Sequence, residues 1–330
     1  MDLNVSRFTT LLKSIGEPNR LRILALLSRG ELAVGELAQI LDQSQPRLSH
    51  HLKALSSVGL VERMPEGAWV FYSLPASGPM SEFIRMMISQ VDAESDELAR
   101  DARRLALVKQ ARRKAAENYF EVVAEDWDKV RQLQIGREDV EARLLKLAGE
   151  GPFKRVIDIG TGTGRMLRLF AEHAERLDGL DLSHRMLTVA RSNLDRDTVS
   201  HAHVRQGDAS DLPYEDGVAD IIVIHHVLHF LDEPERVIQE AGRVLSKTGK
   251  LLIVDFAPHT LEFLRAEHGH RHLGVRNSVL SDWSARAGLT LSEPIVFSPP
   301  KTTDQGLTVQ IWVADAVANG AVSDKVKVSV

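Results

Sequence analysis

The stretch VIDIGTGTG at residues 156–164 decides the fold of the C-terminal half of the chain. It reads as a β-branched strand running into Gly160, Gly162 and Gly164, with a helix beginning near Arg165. Glycines at such a turn let the backbone reverse sharply and come close to a ligand. Dinucleotide enzymes space theirs G-x-G-x-x-G so that a pyrophosphate rests on the helix N-terminus. The tighter spacing here provides no such cradle, which points to a different small molecule.

Downstream, the alternation of strand and helix repeats. Leu180-Asp181 ends a second strand, and Asp181 lies about 20 residues past the loop, where a carboxylate meets ribose hydroxyls. Ser183 and Met186 then begin a helix, and methionine is a soft wall for a purine ring. Gln206-Gly207-Asp208-Ala209 closes a third strand. Residues 219–224 form a fourth, which opens into His225-His226-Val227-Leu228-His229-Phe230. Four strand ends at one edge of a parallel sheet define one crevice.

The N-terminal text has a different texture. Residues 18–27 (PNRLRILALL) and 31–41 (ELAVGELAQIL) each place apolar residues on one helical stripe. A third helix follows a polar turn at 42–44, with Ser44 as cap, Pro46 in the first turn, and Leu48, Leu52 and Leu55 as the buried edge. Its other face offers Gln45, Arg47, Ser49, His50 and Lys53, with no acid between Ser44 and Gly59. These are donors for base edges and phosphates. Residues 60–63, carrying Arg63, and 69–74 read as two strands joined by Met64-Pro65-Glu66-Gly67, a wing-like hairpin.

Order and spacing carry two resemblances. The runs EPNRLRILALL, ELAVGELAQIL, SQPRLSHHLKALSSVGLVE and EGAWVFYSL resemble the ArsR/SmtB family of winged helix-turn-helix repressors across residues 7–75. That resemblance implies a homodimer reading a double-stranded DNA operator, with Arg63 beside the five recognition-helix residues. The apolar stripe of residues 80–91 suits a dimerisation helix. VIDIGTGTG, LDGLDLSHRML, VRQGDASDLPYEDGVADIIVIHHVLHFL and EPERVIQEAGRVLSKTGKLLIVDF resemble the class I S-adenosylmethionine-dependent methyltransferases across about residues 115–316. This second resemblance implies that Asp158, Gly160, Gly162 and Gly164 enclose the methionine part of S-adenosylmethionine or S-adenosylhomocysteine. Asp181 with Leu182 would hold the ribose, Met186, Asp208 and Ala209 the adenine, and His225 would stand at the reacting end as the candidate base. For the three aspartates, turn or helix capping is the competing reading.

Four domains are expected: a winged helix-turn-helix at 1–78, a helical connector and dimerisation region at 79–150, a seven-stranded, mostly parallel Rossmann-like α/β sheet flanked by helices at 151–316, and a tail at 317–330. From Met80 to about Gly149 the connector is densely charged and proline-free, the composition of helices. At 330 residues, 43% hydrophobic and 26% charged, the chain is globular, and its longest apolar runs are far too short to span a bilayer. No export or membrane segment is read, so a cytoplasmic protein is expected.

The absence of cysteine excludes disulfides, thiolate zinc sites and cysteine nucleophiles. It therefore removes thiolate metal sensing, cytosine ring methylation and arsenic methylation, and no metal site is expected. His268, His270 and His272 in EHGHRH would diverge if helical and could converge only on a loop. Three readings remain open: a regulator with S-adenosylmethionine or S-adenosylhomocysteine as effector, a methyltransferase acting on a small molecule with the winged domain for docking or autoregulation, and a scaffold that binds neither.

Overall fold

The computed structural model describes residues 4–66, 69–75, 78–92, 95–133, 137–299 and 306–316, with side chains described except at 116–138 and Glu267. The expected tail at 317–330 and Gly67 of the expected turn lie outside these residues. The chain packs as two compact units, Met1–Lys129 with Gly151–Ala209, and Val130–Glu150 with Ser210–Val330.

In the first unit, α1 (Val5–Ile15) and α2 (Pro18–Leu27) precede a short strand β1 (Leu32–Ala33), α3 (Val34–Leu41) and α4 (Gln45–Ser57). Local chemistry sets their starts. Asn4 Oδ1 accepts from Arg7 N at 2.9 Å, and Glu17 accepts from Arg20 N at 2.9 Å, with Pro18 occupying a position whose N–H would lack a partner in any case. Ser44 caps α4 by position but makes no side-chain cap bond. Ile23, Leu24, Leu37, Ile40, Leu48, Leu52 and Leu55 are all fully buried in one core.

The wing is β2 (Glu62–Glu66) paired antiparallel to β3 (Trp69–Ser73), and β3 also pairs with β1. The first wing strand thus runs through Met64, Pro65 and Glu66, which the sequence reading placed in the turn. β2 is an edge strand in the order β1-β3-β2, so Pro65 breaks no interior ladder. α5 (Gly78–Ile88) and α6 (Asp96–Leu133) follow, and Ile84, Leu105 and Val108 join the same core. Arg22 clasps Asp101 of α6 through two 2.7 Å bonds. α7 (Arg137–Ala148) belongs to the second unit.

The first unit continues with β4 (Val156–Ile159), α8 (Arg165–Leu169), β5 (Leu177–Asp181), α9 (His184–Arg196) and β6 (Ala202–Gln206), and β4–β5 and β5–β6 pair in parallel. The side of α9 that faces the winged module is charged. Arg191, 4% exposed, donates from Nε to Glu31 Oε1 at 2.5 Å, grips Glu66 of β2 with both terminal nitrogens, and lies 3.6 Å over the Phe71 ring. Burial works against the charge of this guanidinium, yet Glu31 and Glu66 raise its pKa above the ordinary value. Alongside, Arg112 of α6 pairs with Glu36 at 2.5 Å and Asp195 at 3.2 Å, and Arg176 pairs with Glu62 at 3.0 Å. His184 Nδ1 meets Glu66 at 2.5 Å, and its ring stacks on Trp69, 5.9 Å between centroids.

In the second unit, β7 (Ala219–His225) pairs in parallel with β8 (Leu245–Phe256), with η1 (Leu228–Phe230) and α10 (Pro234–Val244) between them. After α11 (Phe263–His268) and α12 (Asn277–Arg286), β9 (Leu289–Leu291), β10 (Ile295–Phe297) and β11 (Val309–Ala316) complete the unit, and β11 pairs antiparallel with β8, β9 and β10. The C-terminal half is a Rossmann-like sheet with seven principal strands, as expected, plus the short β9.

Removing one partner of a buried ion pair strands the other without water, at about 3–5 kcal/mol. Arg191→Leu is therefore expected to lower the unfolding free energy by that order in urea titration. Arg236→Leu, which removes an exposed pair to Glu233, should change it by less than about 1 kcal/mol.

Candidate functional site

The glycine loop is built as its residues require. Gly160, Gly162 and Gly164 take φ values of 71°, 51° and 76°, the left-handed region that side-chain-bearing residues rarely adopt. A Cβ at Gly164, the N-cap of α8, would meet the Ala190 side chain at 3.3 Å. Thr161, which the sequence reading did not single out, is buried and donates through Oγ1 to Asp158 Oδ2 at 2.6 Å.

Asp181 ties this loop to the next one. Its Oδ2 accepts from Gly162 N at 2.8 Å and its Oδ1 from Ser183 N at 2.8 Å. Ser183 caps α9 by accepting from Met186 N at 3.3 Å. Gly207 N donates to Asp181 O at 3.1 Å and Gln206 Nε2 to Leu182 O at 2.8 Å, so the segment leading to Asp208 and Ala209 joins the same edge. Leu182 is 71% exposed, Met186 and Ala209 are half-buried and Asp208 is exposed. The structure thus brings the three strand ends together, and the capping role weighed for Asp181 is observed.

Asp158 differs. It is fully buried, and its Oδ1 has no hydrogen-bond partner among the described residues. Burial, reinforced by the like charge of Asp181, pushes its pKa up to about 7, against the opposing hydrogen bond from Thr161. An orphaned, costly oxygen beside a glycine cradle is a place prepared for a donor or cation.

His225 ends β7 in the second unit, edge-on to His226 with 4.5 Å between ring centroids. His226 itself has φ 57°. His229 and Asp255, both buried, are hydrogen-bonded at 2.6 Å. EHGHRH does not converge: His268 ends α11, His270 is buried against His229 at 4.2 Å, and His272 Nε2 meets Leu231 O at 3.0 Å. On the winged module, Gln45, Arg47, Ser49, His50, Lys53 and Arg63 are all exposed.

Because the folded-state pKa of Asp158 exceeds that of a free aspartate, the native state holds the proton more tightly than the unfolded chain. The resulting stabilisation is full below about pH 4 and is lost as the pH rises through about 7. In urea titrations, Asp158→Asn should match the wild type near the acid end and exceed it at pH 8 by up to about 4 kcal/mol. A gap independent of pH would mean that Asp158 is not the titrating group.

Comparison with known proteins finds two families. The methyltransferase-domain family matches residues 157–253, and the bacterial regulatory protein arsR family matches residues 17–63. The uncharacterized methyltransferase YcgJ of Bacillus subtilis is 33% identical over 147 residues, 43% of this chain and 58% of its own length. A phosphatidylethanolamine N-methyltransferase of Cereibacter sphaeroides is 36% identical over 102 residues, 31% of this chain and 50% of its own. The chain therefore spans only about half to three fifths of the length of these relatives. The crystal structure of YcgJ superposes with a TM-score of 0.47 at 19% identity, covering 55% of this chain and all of that one. No helix among the described residues is long and apolar enough to cross a membrane. The chain carries an arsR-family helix-turn-helix domain followed by a methyltransferase domain related to the class I enzymes.

Proposed function

We propose that this protein is a transcriptional regulator whose affinity for a DNA operator is set by S-adenosylmethionine or S-adenosylhomocysteine held at the glycine loop. One observation carries the proposal: the loop and the wing share one helix. Asp181 and Ser183 start α9 at the site, His184 then stacks under Trp69 and meets Glu66, and Arg191 locks Glu66 and Glu31 two turns later. A tethered but independent enzyme domain has no need of a buried charge network against the wing.

Asp158, Gly160, Gly162, Gly164, Asp181 and Leu182 are the residues that would hold the methionine and ribose parts, with Met186, Asp208 and Ala209 at the adenine. The orphaned Asp158 oxygen suits an ammonium group. When bound, S-adenosylmethionine would supply an electrophilic methyl group, and either ligand would be held beside the Gly162–Asp181–Ser183 bonds. Any bias that the ligand places on that turn passes to the wing through α9.

Gln45, Arg47, Ser49, His50 and Lys53 would face the major groove, with Arg63 on the adjoining backbone. Val5, Phe8 and Leu12 of α1 and Met86 of α5 are exposed apolar side chains suited to a two-fold partner, which would set two recognition helices ~34–36 Å apart. A protein that reads an operator works in the cytoplasm.

A second reading, methyl transfer to a small molecule with His225 as base, is favoured by a cavity of about 380 Å³ in the second unit, whose lining includes His259, Arg265, Arg276 and Trp283. Cationic and aromatic walls suit an amphipathic anionic acceptor.

Gel-shift titration separates the two. Saturating cofactor is expected to change operator affinity by roughly 5–150-fold. Gly162→Arg should abolish the response, and Trp69→Ala should weaken it while leaving cofactor binding intact. Operator affinity indifferent to both ligands overturns the effector reading. Methyl transfer that survives Arg47→Ala would then support the enzyme.

A further inference from the structure

The second unit holds a cluster that neither reading uses. Near its end β8 carries Asp255, a fully buried carboxylate that follows the aliphatic residues 251–254. Its Oδ1 accepts from His229 Nδ1 at 2.6 Å and from Phe256 N at 2.8 Å. Its Oδ2 is buried and has no hydrogen-bond partner among the described residues. One histidine therefore serves only half of this anion, and an unsatisfied buried carboxylate oxygen is expensive to keep.

The second imidazole is placed by backbone strain. His226 adopts φ 57°, which residues other than glycine seldom do, and it is held there by its N–H donating to Val254 O at 2.8 Å. Such strain persists where the surrounding structure enforces it, characteristically at functional positions. The result sets one ligand-capable atom from each of His226, His229 and Asp255 within 4.8 Å of one another.

Around them the walls are fixed. Arg271 N and His272 N both donate to His229 O, at 2.8 and 3.1 Å, which pins η1 to the loop after α11. Buried His270 lies 4.2 Å from the His229 ring and Phe256 lies 5.0 Å from it, so His229 has little freedom to leave.

We propose that His226, His229 and Asp255 bind one borderline divalent transition-metal ion of the zinc type. Two imidazoles and one carboxylate are the donor set such ions prefer, and a three-residue set leaves a fourth position open for an exchangeable ligand. Ligand bonds near 2.0–2.2 Å put neighbouring donors on a tetrahedral ion roughly 3.4 Å apart, so separations within 4.8 Å close with at most about 1.4 Å of relative side-chain movement. The cation satisfies the carboxylate oxygen that His229 alone leaves bare. The sequence reading expects no metal, because cysteine is absent and EHGHRH would diverge on a helix. The ligands come instead from the residue after β7, the middle of η1 and the penultimate residue of β8, a grouping that no local motif announces. His259, whose ring is 6.2 Å from Phe256, also lines the 380 Å³ cavity, so the site lies one residue layer from a space that a small molecule can enter.

The test uses the full chain, stripped with chelator and titrated with Co²⁺ as an optical stand-in for Zn²⁺, with Zn²⁺ counted by mass spectrometry after gel filtration. The expected result is about one ion per chain, with visible d–d bands of four- or five-coordinate strength. His226→Gln should weaken binding by roughly 100-fold or more, whereas the double variant His268→Gln/His272→Gln should leave it unchanged. His226 is half-buried, so its variant keeps the fold, and unaltered S-adenosylhomocysteine binding in the first unit checks this independently. Sub-stoichiometric metal in the wild-type chain, or bands that survive His226→Gln, overturns the proposal and leaves the cluster as a His229–Asp255 pair.

Discussion

Arg191 is a permanent cation placed where water cannot reach it, and much of the first unit is arranged to make that tolerable. A guanidinium cannot shed its charge as a buried lysine can, so the cost of burial must be met by anions in place. Glu31 and Glu66 come from opposite edges of the winged module, and Phe71 supplies a π face. The arrangement is specific because each partner is fixed by something else. Glu31 also accepts from Val204 N at 3.3 Å, and Glu66 also holds His184.

This constraint turns two modules into one mechanical body at this point. An apolar contact between wing and α9 could slide, because dispersion is weakly directional. Bidentate ion pairs cannot slide without stranding a charge, so the wing and α9 have few shared states. The N-terminal end of the same helix adjoins the Asp181 bonds that tie the glycine loop to Ser183. For the regulator proposed above, a connection that resists partial movement is what would carry occupancy of the site to DNA.

Local signals made parts of this legible in advance. α4 was readable because Pro46 and the Leu48, Leu52, Leu55 spacing act within one helix, and the glycine loop because positive φ selects glycine whatever the surroundings. The wing was misjudged by three residues because Glu66 is drawn into the strand by Arg191, 125 positions away. α1 escaped notice because Leu11 and Ile15 point to the core while Val5, Phe8 and Leu12 point outward, which blurs a single stripe. Arg191 did leave a trace, as a charge inside the apolar run Leu187, Ala190, Leu194, though a trace of that kind names no partner.

The sequence by itself determined the two modules, the glycine loop at a strand end and the exclusion of thiolate chemistry, since each follows from residue type and short-range spacing. The tertiary structure decided which charges are buried, which aspartate is left wanting a partner and which histidines meet. Those depend on burial and on distances between segments remote in the chain, and an electrostatic cost exists only once folding has removed the water.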